Sequence, residues 1–277
     1  MTVIQRLSGE TYNLRDLGIR TRDIIVSSPP PRNYTGQVDG RDGLIDYGTD
    51  YDARPITGRF TMFAVDLDDY VLLRDEVFNI FSTKEPFYFI DSRYPVKRWK
   101  VKTADSFDPE RANRMGKFDV NMIAYLPFAE SIGTSQTIQN NGIDANDALW
   151  GFGMGLIADD ESLIYTHTGT SFRIYNAGNV AVHPFQQELK ITIDNVQGST
   201  SYLQLRNITN GSVFRINEAV TNSQTIVIDR MNMSRNGLAI FRKTNRKYIE
   251  LEPEWNEFEV TGATSARVAF DFRFYYK

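Results

Sequence analysis

Residues 268–276 read Val-Ala-Phe-Asp-Phe-Arg-Phe-Tyr-Tyr, and the alternation in that run decides the class of fold. Val268, Phe270, Phe272, Phe274 and Tyr276 share one parity, while Arg267, Asp271 and Arg273 share the other. Period two is the signature of a half-buried strand, and a ladder this aromatic needs a second sheet or a neighbour to cover it. Working back from it, short runs recur at 172–175, 189–193, 202–205, 213–216, 225–229, 238–241 and 257–260. Turn residues such as 195–198 and Asn210-Gly211 separate them. That spacing predicts an antiparallel sandwich.

The first half carries a different mixture. Residues 29–31 are three prolines, followed by VDGRDG at 38–43, a density of breakers that predicts turns between short strands. In ITGRFTMFAV (56–65), Ile56, Gly58, Phe60, Met62 and Ala64 alternate with Arg59 and Thr61, which predicts another strand. Over 66–82 the period changes. Tyr70, Leu73, Val77, Ile80 and Phe81 fall three and four apart, one face of an amphipathic helix, with Asp66, Asp68 and Asp69 at the end where free amides favour carboxylates. EPFYFID and KRWKVK then read as strands, the second with Trp99 and Val101 on an apolar face and Arg98, Lys100 and Lys102 on a basic one. Asp108-Pro109-Glu110 predicts a single helical turn in a projecting loop, and 118–129 a return to strand. The polar interval ESIGTSQTIQNNGIDAND predicts a junction, giving domains at 1–131 and 132–277 with 132–150 as the linker.

Composition excludes several functions. The formal net charge is −4; residues 1–130 carry 18 basic and 20 acidic side chains, and residues 131–277 carry 13 and 15. Neither half has the cationic excess that specific nucleic-acid binding requires. There is no cysteine, so thiolate metal sites and cysteine nucleophiles are out. No signal peptide or membrane span is expected. His167 and His183 are the only histidines and show no metal-ligand spacing, so neither a metal nor a cofactor is expected. GFGMGL (151–156) lacks the context of a dinucleotide loop and predicts a flexible or closely packed strand. Asp66-Leu67-Asp68-Asp69 lacks the glycine and distal glutamate of a calcium loop.

Two clusters of carboxylates, Asp159-Asp160-Glu161 and Glu250, Glu252, Glu254, Glu257 and Glu259, are candidates for glycoside hydrolysis. Alternation with Phe258 and Val260 makes the second the wet face of a strand. Trp150 and Trp255 are candidates for stacking on sugar, against the plainer reading as core or interface residues. Asn33, Asn207, Asn210 and Asn232 begin glycosylation sequons without a secretory context.

The ordered series VDGRDG, GRFTMFAV, amphipathic helix, RWKVK and DVNMIAYLPFAES resembles the amino-terminal domain of distal tail proteins of long-tailed phages. IYNAGNVAVHPFQQELKITI resembles that family's strand entry, with Gly178, Asn179 and Pro184 at its fixed points. LEPEWNEFEVTG and VAFDFRFYY resemble its final strands. The interval 131–171 is least typical. The family often has Pro-Gly where this chain has Pro253-Glu254, which predicts that no positive φ occurs there.

The resemblance implies a mainly β protein: a ring-forming, tail-tube-like first domain and an outward galectin-like sandwich. It implies a non-enzymatic hub of the tail tip, assembled as a hexamer in the virion after synthesis in the bacterial cytoplasm. Its implied partners are the tail tube protein, a tail-associated lysin or fibre and a receptor-binding protein, with the genome passing through the ring. Gly40 and Gly43 would set turns, and Phe60 and Trp99 would fill the core. Arg41, Pro253, Asn256 and Gly262 complete the structural positions carried over. The alternative is a carbohydrate-binding adhesin module using Trp150 or Trp255.

Overall fold

The computed structural model describes residues 2–143, 149–159 and 161–277. The chain divides into two compact units, Met1–Ala129 together with Lys277, and Glu130–Tyr276. In the first, the strands are β1 (Val3–Arg6), β2 (Thr11–Asn13), β3 (Ile19–Val26), β4 (Pro31–Gly36), β5 (Ile45–Tyr51) and β6 (Arg54–Phe63). Helix α1 (Leu67–Phe81) follows, then β7 (Phe87–Ile90), β8 (Lys97–Thr103), β9 (Glu110–Ala112) and β10 (Met115–Ala124). Their order is β2-β1-β7-β8-β10-β6-β3, antiparallel throughout, with β9 added to β10; β4 and β5 form a separate pair.

The β6–β10 ladder is the longest, running from Met115 opposite Phe63 to Ala124 opposite Arg54. The inward parity of β6 places Ile56, Phe60 and Met62 at 1% exposure or less. Phe60 bends over Gly58, where an added Cβ would lie 2.5 Å from the ring. Its ring packs on Phe81 and Phe118 at centroid distances of 5.2 and 5.5 Å, and Phe107 stacks on Phe118 at 5.5 Å. Trp99 is half-buried against this core, with the Arg54 guanidinium 4.8 Å from its ring.

Helix α1 buries Tyr70, Leu73, Val77, Ile80 and Phe81, the face its periodicity predicts. Asp66 caps it, accepting from the backbone amides of Asp68 and Asp69. The last turn holds no basic residue, and Arg6 of β1 supplies the charge instead, its Nη2 2.8 Å from the carbonyls of Asn79 and Ile80. A guanidinium there satisfies orphan acceptors and opposes the negative end of the helix dipole.

Two expectations fail in this unit. Residues 110–112 form a strand, not a helical turn, because Asn113 takes a left-handed conformation (φ +58°) and closes a hairpin onto β10; Asn tolerates that region better than most residues. The basic face of β8 is incomplete, since Arg98 is buried with its guanidinium 3.6 Å from the Tyr88 ring and donating to Gln5 at 3.3 Å.

In the second unit, β11 (Ala129–Ser131) and helix α2 (Ser135–Asn141) lead into β12 (Thr166–Gly169), β13 (Ser171–Asn176), β14 (Leu189–Gln197), β15 (Leu203–Asn207) and β16 (Val213–Ile216). β17 (Ile226–Asp229), β18 (Asn232–Arg235), β19 (Leu238–Ala239), β20 (Glu254–Thr261), β21 (Ser265–Phe272) and β22 (Tyr275–Tyr276) complete it. One sheet runs β12-β21-β14-β17-β18-β19 and the other β13-β20-β15-β16. The aromatic ladder is covered as its parity demands: Phe270 lies 4.8 Å from Phe258 and 6.2 Å from Phe172, both on the opposing sheet. Phe272 meets Tyr165 at 5.7 Å, and Phe274 meets Trp150 at 6.0 Å. Tyr275 breaks the alternation. It too is buried, its hydroxyl accepting from the Glu188 amide at 3.0 Å.

Three more corrections fall here. The polar interval contains α2, which a capping box between Thr134 and Thr137 starts; Ser135 of this helix donates to the Phe270 carbonyl and accepts from the Phe272 amide. Residues 144–148 of that interval lie outside the described residues. The stretch around 151–155 is a turn, not a strand, with Gly153 and Gly155 at positive φ and Gly155 pressed against the Ala177 carbonyl where no Cβ fits. The run at 238–241 is only a two-residue strand before a 3-10 turn at Phe241–Lys243.

Phe60→Ala is expected to cost the first unit about 3–5 kcal/mol, read as a fall in the denaturant midpoint, because the glycine beneath the ring leaves nothing to collapse into the void.

Candidate functional site

The β4–β5 hairpin stands apart from the larger sheet of its unit. Among the described residues its strands pair only with each other, and almost every residue in them is exposed. Between them Gly40 and Gly43, at φ +80° and +83°, shape a tip where a Cβ would meet nothing within 4 Å. Exposed Arg41 closes a turn there by donating its amide to the Val38 carbonyl. Tyr47 is 67% exposed and Leu44 64%, with Tyr34 and Val38 also open. A two-stranded ribbon is marginal alone in water, and a cluster of exposed aromatic and aliphatic side chains marks a surface meant to be covered. A second apolar surface lies on α1 and the turn before it, where Val65, Leu67, Val71 and Leu72 are exposed on the side away from the core.

In the second unit the positions singled out from the sequence converge on buried amides. Asn256 is fully buried; its Oδ1 accepts from the Asn207 side chain (2.9 Å) and the Glu252 amide (2.8 Å). Its Nδ2 donates to the carbonyls of Glu252 (2.8 Å) and Glu254 (3.2 Å). Asn207 donates to the Glu250 carbonyl, and Asn176 donates to the carbonyls of Val180 and Glu252 while accepting from the Gly178 amide. Gly178 passes so close to the Tyr275 backbone that a Cβ would sit 2.6 Å from its carbonyl oxygen. Asn179 is exposed beside it, and Pro184 is buried two residues after Val182, which bridges to Leu251. Gly262, at φ +81°, abuts the Tyr202 carbonyl with no room for a side chain. In sequence Asn176 carries no signal and Asn207 only begins a sequon; burial and the hydrogen bond to Asn256 place Asn207 in the network.

The expectation for Pro253-Glu254 is overturned. Glu254 adopts φ +68° despite its side chain. Asn256 grips the carbonyls of Glu252 and Glu254 and the amide of Glu252, so the surrounding hydrogen bonds hold the turn that the family's glycine would adopt freely.

Trp150 is 4% exposed, packed on Phe274 and over Gly133, so it offers no face to a sugar. Trp255 is half-buried, with Tyr175 5.1 Å away and the Arg173 guanidinium 4.5 Å from its ring; Glu161 in turn holds Arg173 at 2.5 Å. Asp159 caps the Ser162 amide, and Asp160 lies outside the described residues. Burial holds His167 below the ordinary imidazole value, and its ring stacks on Phe172 at 4.9 Å. Desolvation lowers the Lys97 ammonium to about 8. Among the described residues no three His, Asp or Glu side chains converge as metal ligands, and no helix is long and apolar enough to cross a membrane.

Residues 7–124 match the family model of the phage tail protein RIFT-related domain. No curated protein sequence matches the chain. Among solved structures it is similar to the Dit protein (gp 19.1) of phage SPP1, described as a paradigm of the hub adsorption apparatus in phages infecting Gram-positive hosts. Identity is 11%, TM-score 0.69, with 99% of each chain covered. It also aligns with chains of the phage p2 baseplate in its activated conformation, with strontium (12% identity, TM-score 0.46, 98% of this chain and 97% of that one) and with calcium (11%, 0.43, 99% and 97%). The phage tail domain match thus falls on the first unit, residues 7–124. The mainly β fold of the whole chain is the one it shares with that Dit protein.

Two substitutions test the amide network. Glu254→Gly is expected to stabilise the second unit by about 0.5–1 kcal/mol, the relief of a left-handed side chain less the entropy of glycine. Asn256→Ala is expected to cost about 2–4 kcal/mol by stranding the Asn207 carboxamide and the Glu252 amide; denaturant midpoints at unchanged slope measure both.

Proposed function

We propose that this chain is the distal tail hub, a closed ring of six copies joining the tail tube to the tail-associated lysin or fibre, with a receptor-binding protein as a further partner. The exposed β4–β5 hairpin carries this reading. A ribbon with Tyr34, Leu44 and Tyr47 in water reaches stable order by lying on a neighbouring copy, and around a closed ring every copy both gives and receives the same contact. The hairpin is also acidic, with Asp39, Asp42, Asp46, Asp50 and Asp52 in or beside it against Arg32 and Arg41. The outward face of β3, β6 and β10 carries Arg20, Arg22, Arg59 and Lys117; Asp119 on the same face pairs with Arg22 at 2.8 Å and Arg59 at 3.4 Å, and the remaining excess of cations complements the hairpin of the next copy. The near balance of charge in both halves suits a channel through which a genome passes without sticking. Its role is architectural, not enzymatic; it is made in the host cytoplasm and carried in the virion tail tip, with the second unit a galectin-like sandwich.

Light scattering and negative-stain microscopy of the purified chain are expected to show a six-membered ring with an open centre. Leu44→Asp with Tyr47→Asp is expected to leave a folded monomer. A wild-type chain that stays monomeric at every accessible concentration overturns the ring.

A further inference from the structure

An open groove of about 450 Å³ on the second unit has walls of opposite character. One wall is an aromatic corner. Phe185 is 55% exposed, yet its ring is held edge-on to Tyr248 at 4.8 Å and tilted against His183 at 4.9 Å. The segment beneath it is fixed: the Phe185 amide donates to His183 Nδ1, the amides of Gln186 and Gln187 donate to the His183 carbonyl, and the Gln187 side chain accepts from the His183 amide. On the other side of the ring, His183 Nε2 lies 3.3 Å from Glu250 Oε1. The corner is thus rigid before any ligand arrives, which is how a half-exposed phenyl ring becomes a binding platform.

The other wall is cationic. Arg246 and Lys247 are both exposed, and Arg246 holds a left-handed conformation at φ +57°. That strain is maintained by the Thr244 hydroxyl, which accepts the Arg246 amide, and by Asn245 Oδ1, which accepts the Lys247 amide. The Asn210–Ser212 turn forms the floor, and Asn210 donates to the Glu250 carbonyl. Glu250 is the one carboxylate among the lining residues and pairs with His183, while Asn210 of the floor also contacts Glu252 Oε1 at 3.4 Å; Arg246 and Lys247 stand on the far wall from that pair. Nothing in the ring assembly or the asparagine network uses these side chains.

We propose that this groove binds a pyranose bearing an anionic substituent, with the sugar face against Phe185 and Tyr248 and the anion at Arg246 and Lys247. Apolar C–H faces of a pyranose pack on aromatic rings, and paired cations recognise phosphate or carboxylate. The shared chemistry admits two sources, a phosphorylated sugar or a uronic acid. This site is separate from Trp150 and Trp255, and it stands whether or not the chain forms a ring.

Saturation-transfer difference NMR on the full chain tests it with glucose 1-phosphate, glucuronic acid and neutral glucose as probes. At least one anionic sugar is expected to show saturation transfer to its ring protons, with glucose at least roughly tenfold weaker. The probe that responds identifies the source. Phe185→Ala and Arg246→Gly are expected to weaken binding by roughly tenfold or more, whereas Trp255→Ala leaves it unchanged. Arg246→Gly removes the cation and relieves the left-handed strain together, so lost binding in that variant cannot be ascribed to misfolding. Silence from both anionic sugars, equal binding of glucose, or loss of binding in Trp255→Ala alone overturns the proposal; light scattering of Phe185→Ala separates this result from any failure to assemble.

Discussion

Three buried carboxamides organise the second unit. Asn176, Asn207 and Asn256 sit on three strands that are adjacent in one sheet, and between them they satisfy the backbone of 250–254 as the chain enters β20. An isolated buried amide is expensive, so each depends on the others being in place, and the network fixes strand register as well as stability. The positive φ of Glu254 follows from it. Where a glycine would adopt the turn without cost, this chain reaches the same backbone by hydrogen bonding it into position.

The first unit is organised by packing. Its phenylalanines gather where β6, β10 and the end of α1 meet, and Gly58 provides the recess for Phe60. Arg6 joins the sheet to the helix electrostatically as well as by packing, since it answers the carbonyls of Asn79 and Ile80 at the helix end with a charge. What this core does not absorb is the β4–β5 hairpin and the outer face of α1. Both carry side chains of core type outside any core, which is the expected arrangement in a subunit that completes its burial against other chains.

Much of this was legible from local pattern. The parity of 268–276 and of 56–64, and the three-and-four spacing of 70–81, each follow from a single element burying one face, and such periodicities survive folding. Failures occurred where partners distant in sequence decide the outcome. Arg98 reads as exposed by alternation but is drawn inward by the Tyr88 ring on a neighbouring strand. Asp108-Pro109-Glu110 offers good helix-start chemistry, yet the edge of β10 and the left-handed Asn113 make a hairpin of the segment that follows. Trp150 is indistinguishable in sequence from a surface tryptophan until Phe274 and Gly133 close on it. The groove beside Phe185 was invisible for the same reason, since it joins residues 183–185, 210–213 and 246–250.

The seating of Tyr47 over Gly36, whose missing side chain leaves the ring its place, has a consequence for timing. Because the ribbon already folds one of its own rings across its back, a subunit of the proposed ring would carry a part-shaped limb into each encounter. Much of the disorder that a floppy tether would surrender on capture would then have been given up beforehand, and successive copies of that ring would engage with little rearrangement of the limb.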